Sequence, residues 1–487
     1  MKITNPATLA PLGEVPESGV DDIHRTMAAA GAAARAWHAT TGACRAELLK
    51  QIGSRVRESA RDLAELSTEE SGLARCESLD CVRAAAAIFD FYATHAAAGG
   101  AGRAGNAGDR RGEGDDGSLG TVAVFAPFSL PLPVMAASVG RALAEGLSVV
   151  YKPPAENPLT SLALASAFDG LPAGVVNLVT GGPAVGRLLL AHPGVGQILF
   201  TGSAAVGLEI AAVARGKRLD LEVGTVDAHI VCRGVDLDLA VPAIAWTRLM
   251  NGGQSRLSGG HLYVERSLAA EFVDRMHHCV GFLDVDDPCR PCTDLGPLIS
   301  HEAAVKLEDQ VGRTLRAGAK LILGGRRFRP SGLPGHFFQP TILTDVKPGS
   351  VPMREQLLGP VITVTPMADL AEALRLWKEF SSPWALSPAT ASIYTADADA
   401  AAGAVEAMPD GFFRINDPSV GDLGPLGGLH HRGIRNALGT VADESRNRPT
   451  KRVEMSRTIE RRPWWFPYID RSGGPLDAHP PSEARAS

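Results

Sequence analysis

Apolar residues recur at three- and four-residue spacing through the first hundred positions, as at Leu48, Leu49, Ile52 and Val56, and predict helices. Asp21 and Asp22 stand before an alanine-rich run that ends at Trp37, a helix start marked by acidic residues. From Thr121 the pattern changes to short runs of β-branched and other apolar residues. TVAVF (121–125), LSVVY (147–151), VVNLV (175–179), ILFT (198–201) and HIVC (229–232) read as strands. Helical segments near 134–145, 158–168, 183–191 and 203–214 separate them. Continuous apolar strands divided by helices predict a parallel sheet covered on both faces. A second α/β series starts near Asp236, with strands near 262–265, 320–323, 361–365, 391–395 and 412–415.

Two stretches break this rhythm. Residues 99–120 hold nine glycines and almost nothing to bury, which predicts a flexible excursion. Residues 471–487, RSGGPLDAHPPSEARAS, have the composition of a disordered end. The chain of 487 residues is too long for one compact core. Its formal charge of −6 gives no electrostatic reason to expect nucleic acid or an anionic membrane. No stretch has the length and apolarity of a membrane span, and the N-terminus does not read as a secretory signal. Seven cysteines without framework spacing make the cytoplasm the default compartment.

Motifs spread along the whole chain carry a resemblance. In order they are NPATLAPLGEVP near the start, Ala126-Pro127-Phe128-Ser129-Leu130-Pro131, Lys152-Pro153, and Phe200-Thr201-Gly202-Ser203 with Gly207. Leu221-Glu222-Val223-Gly224, Asn251-Gly252-Gly253-Gln254, Thr293 to Leu298, Gly359-Pro360-Val361 and Pro425-Leu426-Gly427-Gly428 follow. Together they resemble the aldehyde dehydrogenase superfamily. The resemblance implies a Rossmann-type dinucleotide-binding domain (1–98 and 121–233), an α/β catalytic-type domain (234–449) and a small oligomerisation arm. The glycine-rich 99–120 would lie at the arm position, and 450–469 would supply an oligomerising strand and an aromatic cluster. The family binds its dinucleotide without a GxGxxG loop, and none is present.

Such enzymes oxidise an aldehyde through a cysteine thiolate, with a glutamate base and an asparagine amide for the oxyanion. The nucleophile position, two residues after the glutamine of the N-x-G-Q motif, is Arg256, and no cysteine occurs between Cys232 and Cys279. Arginine stays charged and cannot attack a carbonyl. Ser255 is the nearest hydroxyl but falls one residue early. The oxyanion position holds Ser129, and the base position keeps Glu222. Arg256 has three readings: an ion pair with Glu222 in the old substrate tunnel, a surface side chain, or a binder of an anionic ligand.

On the cofactor side Lys152, Gly202, Ser203 and Gly224 match, and the helix opening at Ser203 suits a pyrophosphate. The ribose-binding acid is replaced by Ala155, with Glu156 displaced by one; the acid of the E-x-F-G-P motif is Gln356, and its phenylalanine is Leu358. NAD or NADP binding is implied, in weakened form, and no metal. Cys289 and Cys292 have CxxC spacing but no second pair nearby, so a metal site is not expected. His430-His431 reads as a solvated surface, and PWWFPY (463–468) as C-terminal packing or an interface anchor. A homo-oligomer, a dimer first, is expected, and an active aldehyde dehydrogenase-type subunit is a candidate partner. Three readings of function remain: a silent family member serving as a structural or regulatory subunit, a redirected NAD(P)-dependent oxidoreductase, or an anion- or nucleotide-binding protein.

Overall fold

The computed structural model describes residues 1–98, 121–223, 227–255, 258, 260–381, 390–406, 408, 412–417, 452–462 and 464–468. The glycine-rich 99–120, Gly224, Arg256, Pro425 to Gly428, His430-His431 and the tail from 469 lie outside the described residues.

The chain opens with a hairpin of β1 (Lys2–Thr4) and β2 (Pro11–Glu14), followed by helices α1 (Val20–His38), α2 (Gly42–Glu58), α3 (Ala60–Ser71) and α4 (Arg75–Ala97). In α1 the buried Ile23, Met27, Ala30, Ala34 and Trp37 form one stripe at helical spacing. Asp21 and Asp22 fall inside its first turn, where they favour the helix dipole. Next come β3 (Thr121–Phe125), α5 (Pro131–Ala144), β4 (Val149–Lys152), α6 (Pro158–Leu164), β5 (Val176–Leu178), α7 (Pro183–Ala191), β6 (Val195–Gly202), α8 (Ala204–Val213) and β7 (Arg218–Val223).

The second half contains β8 (Ala228–Val231), α9 (Leu237–Leu249), β9 (His261–Glu265), α10 (Ala269–Gly281), α11 (His301–Arg316), β10 (Lys320–Leu323), β11 (Thr341–Thr344) and α12 (Val351–Arg354). It continues through β12 (Val361–Met367), α13 (Leu370–Ser381), β13 (Thr390–Tyr394), α14 (Ala398–Glu406), β14 (Phe412–Ile415) and β15 (Arg452–Met455).

The first sheet is parallel throughout, in the order β5-β4-β3-β6-β7. The second has the order β10-β11-β12-β9-β8-β13-β14-β15, with only the β10–β11 pair antiparallel. Apolar strands predicted in both series thus became two doubly covered sheets, each with its own buried clusters.

Three strand readings change. β7 was not predicted as a strand, because Arg218, Asp220 and Glu222 interrupt its apolar run. Its alternation is that of an edge strand: Leu219, Leu221 and Val223 pack on one side and the two acids face the other. β11 was missed because it follows a stretch rich in proline and glycine that reads as turns. The HIVC strand, expected in the first domain, pairs instead with β9 and β13 in the second sheet. Its apolar residues carry no mark of sheet membership, which the crossover between β7 and β8 decides.

The C-terminal segment ends in the second sheet and its core. β15 pairs with β14 in parallel, an edge position as its alternation suggests. Trp464, Trp465, Phe466 and Tyr468 are buried in the cluster formed by α9, α10 and their neighbours. The aromatic run therefore packs within its own chain.

Candidate functional site

Ligands of doubly wound sheets bind beyond the carboxyl ends of the strands, near the point where strand order reverses. Here the reversal lies between β3 and β6. Ser129 follows β3, Lys152 ends β4, Ser203 follows β6 and Glu222 is next to last in β7. Four residues chosen from separate motifs thus share one edge of one sheet.

Ser129 is buried in the loop before α5, and Asn157 Nδ2 donates to the neighbouring Phe128 carbonyl at 2.8 Å. Glu222 lies opposite Thr201 across the β6–β7 pair, and the Thr201 hydroxyl donates to its Oε2 at 3.4 Å. Asp220, two residues earlier on the same face, receives Arg141 Nη1 at 2.5 Å, while Arg141 Nε reaches Glu145 at 3.0 Å. That guanidinium is 3% exposed and raised further in basicity by its two carboxylates, so it clamps β7 to α5.

The N-x-G-Q motif forms the turn after α9. Asn251 is left-handed at φ 54° and Gly253 at φ 69°. A Cβ on Gly253 would stand 2.0 Å from the Gly359 carbonyl oxygen, so only glycine fits there. The Gly359 N–H donates to the Gly253 carbonyl at 3.0 Å. Gln254 is held at both ends of its amide, accepting from the Ile299 N–H at 2.9 Å and donating to the Asn251 and Pro297 carbonyls. Arg248, 2% exposed, donates to the Leu357 carbonyl at 3.0 Å and the Gly253 carbonyl at 3.4 Å. Burial lowers its pKa to about 10.

Glu77 of α4, fully enclosed, accepts the Asn251 N–H at 2.8 Å and the Tyr468 hydroxyl at 2.8 Å. Tyr468 in turn takes a bond from Trp246 Nε1 at 3.1 Å and gives its N–H to Asp294 at 2.7 Å. Burial pushes the Glu77 carboxyl up to about 7. Sequence reading missed Glu77, Arg248 and this role of Tyr468. The signal was faint: a charged residue on the inner side of an apolar helix, which the spacing in α4 would have shown.

Beyond this turn Ser255, Gly260, Pro352, Glu355, Gln356, Leu357 and Thr363 line a small cavity of about 10 Å³, enough for one water. Gln356 is half-buried in this lining, and Leu358 is half-buried two residues on. Glu355, beside Gln356, does not stand in for the lost acid. Arg313 grips both its oxygens at 2.7 and 2.8 Å, and that bonding pulls its pKa down to about 2.

A sequence model described as the aldehyde dehydrogenase family matches residues 1–444. The chain belongs to the aldehyde dehydrogenase family. It is 30% identical over 439 residues to a succinate-semialdehyde dehydrogenase. That relative, from Escherichia coli (strain K12), is named for NADP(+), and the match covers 89% of each chain. A vanillin dehydrogenase of Amycolatopsis sp. is 33% identical, covering 90% of each. Among solved structures, lactaldehyde dehydrogenase from Escherichia coli superposes with a TM-score of 0.78 at 29% identity, covering 87% of this chain and 88% of that one. A Methanocaldococcus jannaschii glyceraldehyde-3-phosphate dehydrogenase complexed with NADP gives 0.77 at 26% identity, covering 87% and 91%.

The turn that carries the N-x-G-Q motif and the strand that carries Glu222 are both in place. The N-x-G-Q turn is pinned from three sides, and Glu222 keeps its place on β7. Gly202 and Gly207 allow close packing: a Cβ on the first would meet the Phe200 ring at 2.4 Å, and on the second Val223 at 2.6 Å. Ser203 caps α8, its hydroxyl accepting from the Val206 N–H at 3.3 Å. Arg256 itself lies outside the described residues, so its ion pair with Glu222 stays a reading of the sequence. Cys289 and Cys292 are free thiols, the first pushed up to about 12 by burial and Asp287; no metal-holding cluster of three occurs among the described residues. No helix of the described residues is long and apolar enough to cross a membrane.

Proposed function

We propose that this chain is a silent aldehyde dehydrogenase, with the family fold kept as a dinucleotide-binding structural or regulatory subunit and thiol-dependent aldehyde oxidation lost. One observation carries the reading. The turn from Asn251 to Gln254, which carries the N-x-G-Q motif, is held by Glu77, Ile299, Pro297 and Gly359, and this supports reading Arg256, two residues on, as the nucleophile position. A cysteine cannot slide in from elsewhere: Cys232, at the end of β8, is buried with its thiol pushed up to about 12. Ser129 in place of the oxyanion amide and Gln356 in place of a ribose carboxylate remove the same reaction at two further points.

The residues present fit a nicotinamide dinucleotide in part. Lys152 and the Ser203 end of α8 supply a cation and a helix N-terminus on the correct sheet edge, where a pyrophosphate is stabilised. Such a cofactor would supply hydride acceptance; this chain's own contribution is to bind and orient it. Glu222, without a thiohemiacetal to serve, is neutralised by Arg256 in this reading.

Purified protein given NAD or NADP with aliphatic, aromatic and semialdehyde substrates is expected to form no NAD(P)H above the uncatalysed rate. Calorimetry in the same buffer is expected to show dinucleotide binding. Steady NAD(P)H formation insensitive to thiol alkylation would overturn the silent reading and favour the redirected oxidoreductase.

A homodimer belongs to the proposal. α8 exposes Val206, Leu208 and Val213 beside exposed alanines, with Glu209 its one charge, an apolar face suited to a second copy. Leu208→Asp is expected to shift sedimentation from dimer to monomer. An unchanged dimer would place the interface elsewhere.

A further inference from the structure

We infer that Tyr468 is a positioning residue, through which the C-terminal segment 464–468 clasps the N-x-G-Q turn of the candidate site and releases it on lifting. The turn needs holding. Asn251, Gly252 and Gly253 stand in succession at φ 54°, 57° and 69°, and the first of the three is not a glycine. A left-handed run of this kind persists where its surroundings over-determine it.

Tyr468 reaches the turn by two routes. In the first, its hydroxyl donates to Glu77 Oε1 at 2.8 Å, the same oxygen that accepts the Asn251 N–H at 2.8 Å. Trp246 Nε1 fixes that hydroxyl from the other side, donating to it at 3.1 Å. In the second, the Tyr468 N–H donates to Asp294 Oδ1 at 2.7 Å, while Asp294 Oδ2 accepts the Asp284 N–H at 2.9 Å. From Asp294 the chain runs on to Pro297 and Ile299, whose carbonyl and N–H hold the two ends of the Gln254 amide. A Cβ on Gly296, within that stretch, would stand 2.0 Å from the Gly72 carbonyl oxygen, so the stretch has little slack. One residue near the far end of the chain therefore ties both Asn251 and Gln254.

The seat of the segment is less complete than the core around it. Trp464 and Trp465 bury indole N–H groups that have no hydrogen-bond partner among the described residues. Unsatisfied donors weaken the docking of the segment relative to a fully bonded core. It is thus placed to lift before the sheets unfold, and the turn then loses two of its supports.

Hydrogen exchange on the full chain tests the link, read by mass spectrometry of peptides covering 248–255 and 463–468. In the unaltered chain at low urea, turn and segment are expected to open together, with one shared urea dependence and ahead of β3 and β12. Tyr468→Phe keeps the ring and removes the hydroxyl. It should speed exchange in the turn about tenfold relative to β3 and β12, the effect of losing one hydrogen bond. Glu77→Gln, whose amide oxygen can accept both bonds, should leave that ratio within about twofold. A turn whose exchange is unchanged in Tyr468→Phe, or rises only in step with β3 and β12, would overturn the inference and leave the segment as packing alone. Separate openings of turn and segment in the unaltered chain would overturn it as well.

Discussion

Arg256→Cys is expected to give this chain a thiol at the proposed nucleophile position and, with it, a covalent adduct with aldehydes. The argument is geometric. The turn before the substituted position is already in place: Asn251 and Gly253 hold their left-handed conformations, and Gln254 is anchored at both ends of its amide. In the proposed reading Glu222, on β7, is the base that the substitution frees from its guanidinium partner. What the single substitution leaves short is the oxyanion side, where the Ser129 hydroxyl stands in for an amide. Adding Ser129→Asn is expected to raise turnover by a further 10² to 10³, about the worth of one oxyanion donor. Rapid-mixing measurement of NADH formation with a reactive aldehyde, beside mass spectrometry of the adduct, reads both steps. A double variant that binds NAD, folds normally and forms no adduct would show that the site was lost in more than its nucleophile. Proof of aldehyde oxidation by the unaltered chain would defeat the silent reading directly.

Stability should fall as pH rises from about 4.5 to 7. Glu70 and Glu77 are buried carboxyls whose pKa values are raised to about 7 in the folded chain, above the usual 4.5, with desolvation the leading cause in both. Glu70 caps α6 by accepting from the Leu159 and Thr160 N–H groups at 2.5 and 2.8 Å. Through this window the unfolded chain gives up protons that the native chain retains, so each unit of pH costs stability. Each group contributes on the order of 3 kcal/mol across the full window. His261 acts the other way. Buried between Thr363 and Thr365, and with desolvation and then Arg248 holding its pKa down to about 3, it stays neutral where an unfolded histidine would charge. It therefore costs stability as pH falls below about 6.5, offsetting part of the carboxyl effect. Comparing urea midpoints of the unaltered chain with Glu77→Gln between pH 5 and 8 isolates one carboxyl. The variant should lose about half of the carboxyl-driven slope. Tyr468→Phe, which leaves Trp246 Nε1 without its acceptor, should cost about 1–3 kcal/mol at any pH in that range. Identical pH slopes in the variant and the unaltered chain would mean that Glu77 does not hold its proton into neutral pH.

The same residues show where sequence reading stopped. β3, α7, β10 and β14 were legible because continuous apolar runs bounded by turns, or a proline at a helix start, suffice to mark them. The site edge was legible through motifs, since Ser129, Lys152 and Ser203 each follow or end a strand that the apolar pattern had already marked. β7 was hidden by its own function: the acids that face α5 and the crevice break the apolar pattern by which strands are recognised. The assignment of β8 to the second sheet was hidden because hydrophobicity reports burial and says nothing about which neighbour does the burying.

By itself the sequence determined the family and the α/β class, both properties of residue type and order. Tertiary structure alone decided that Glu77 grips the Asn251 turn and that Tyr468 reaches the same carboxylate. Those partners are separated along the chain by as many as 391 residues. Local periodicity carries no information about contacts that only the closing of two sheets brings within 3 Å.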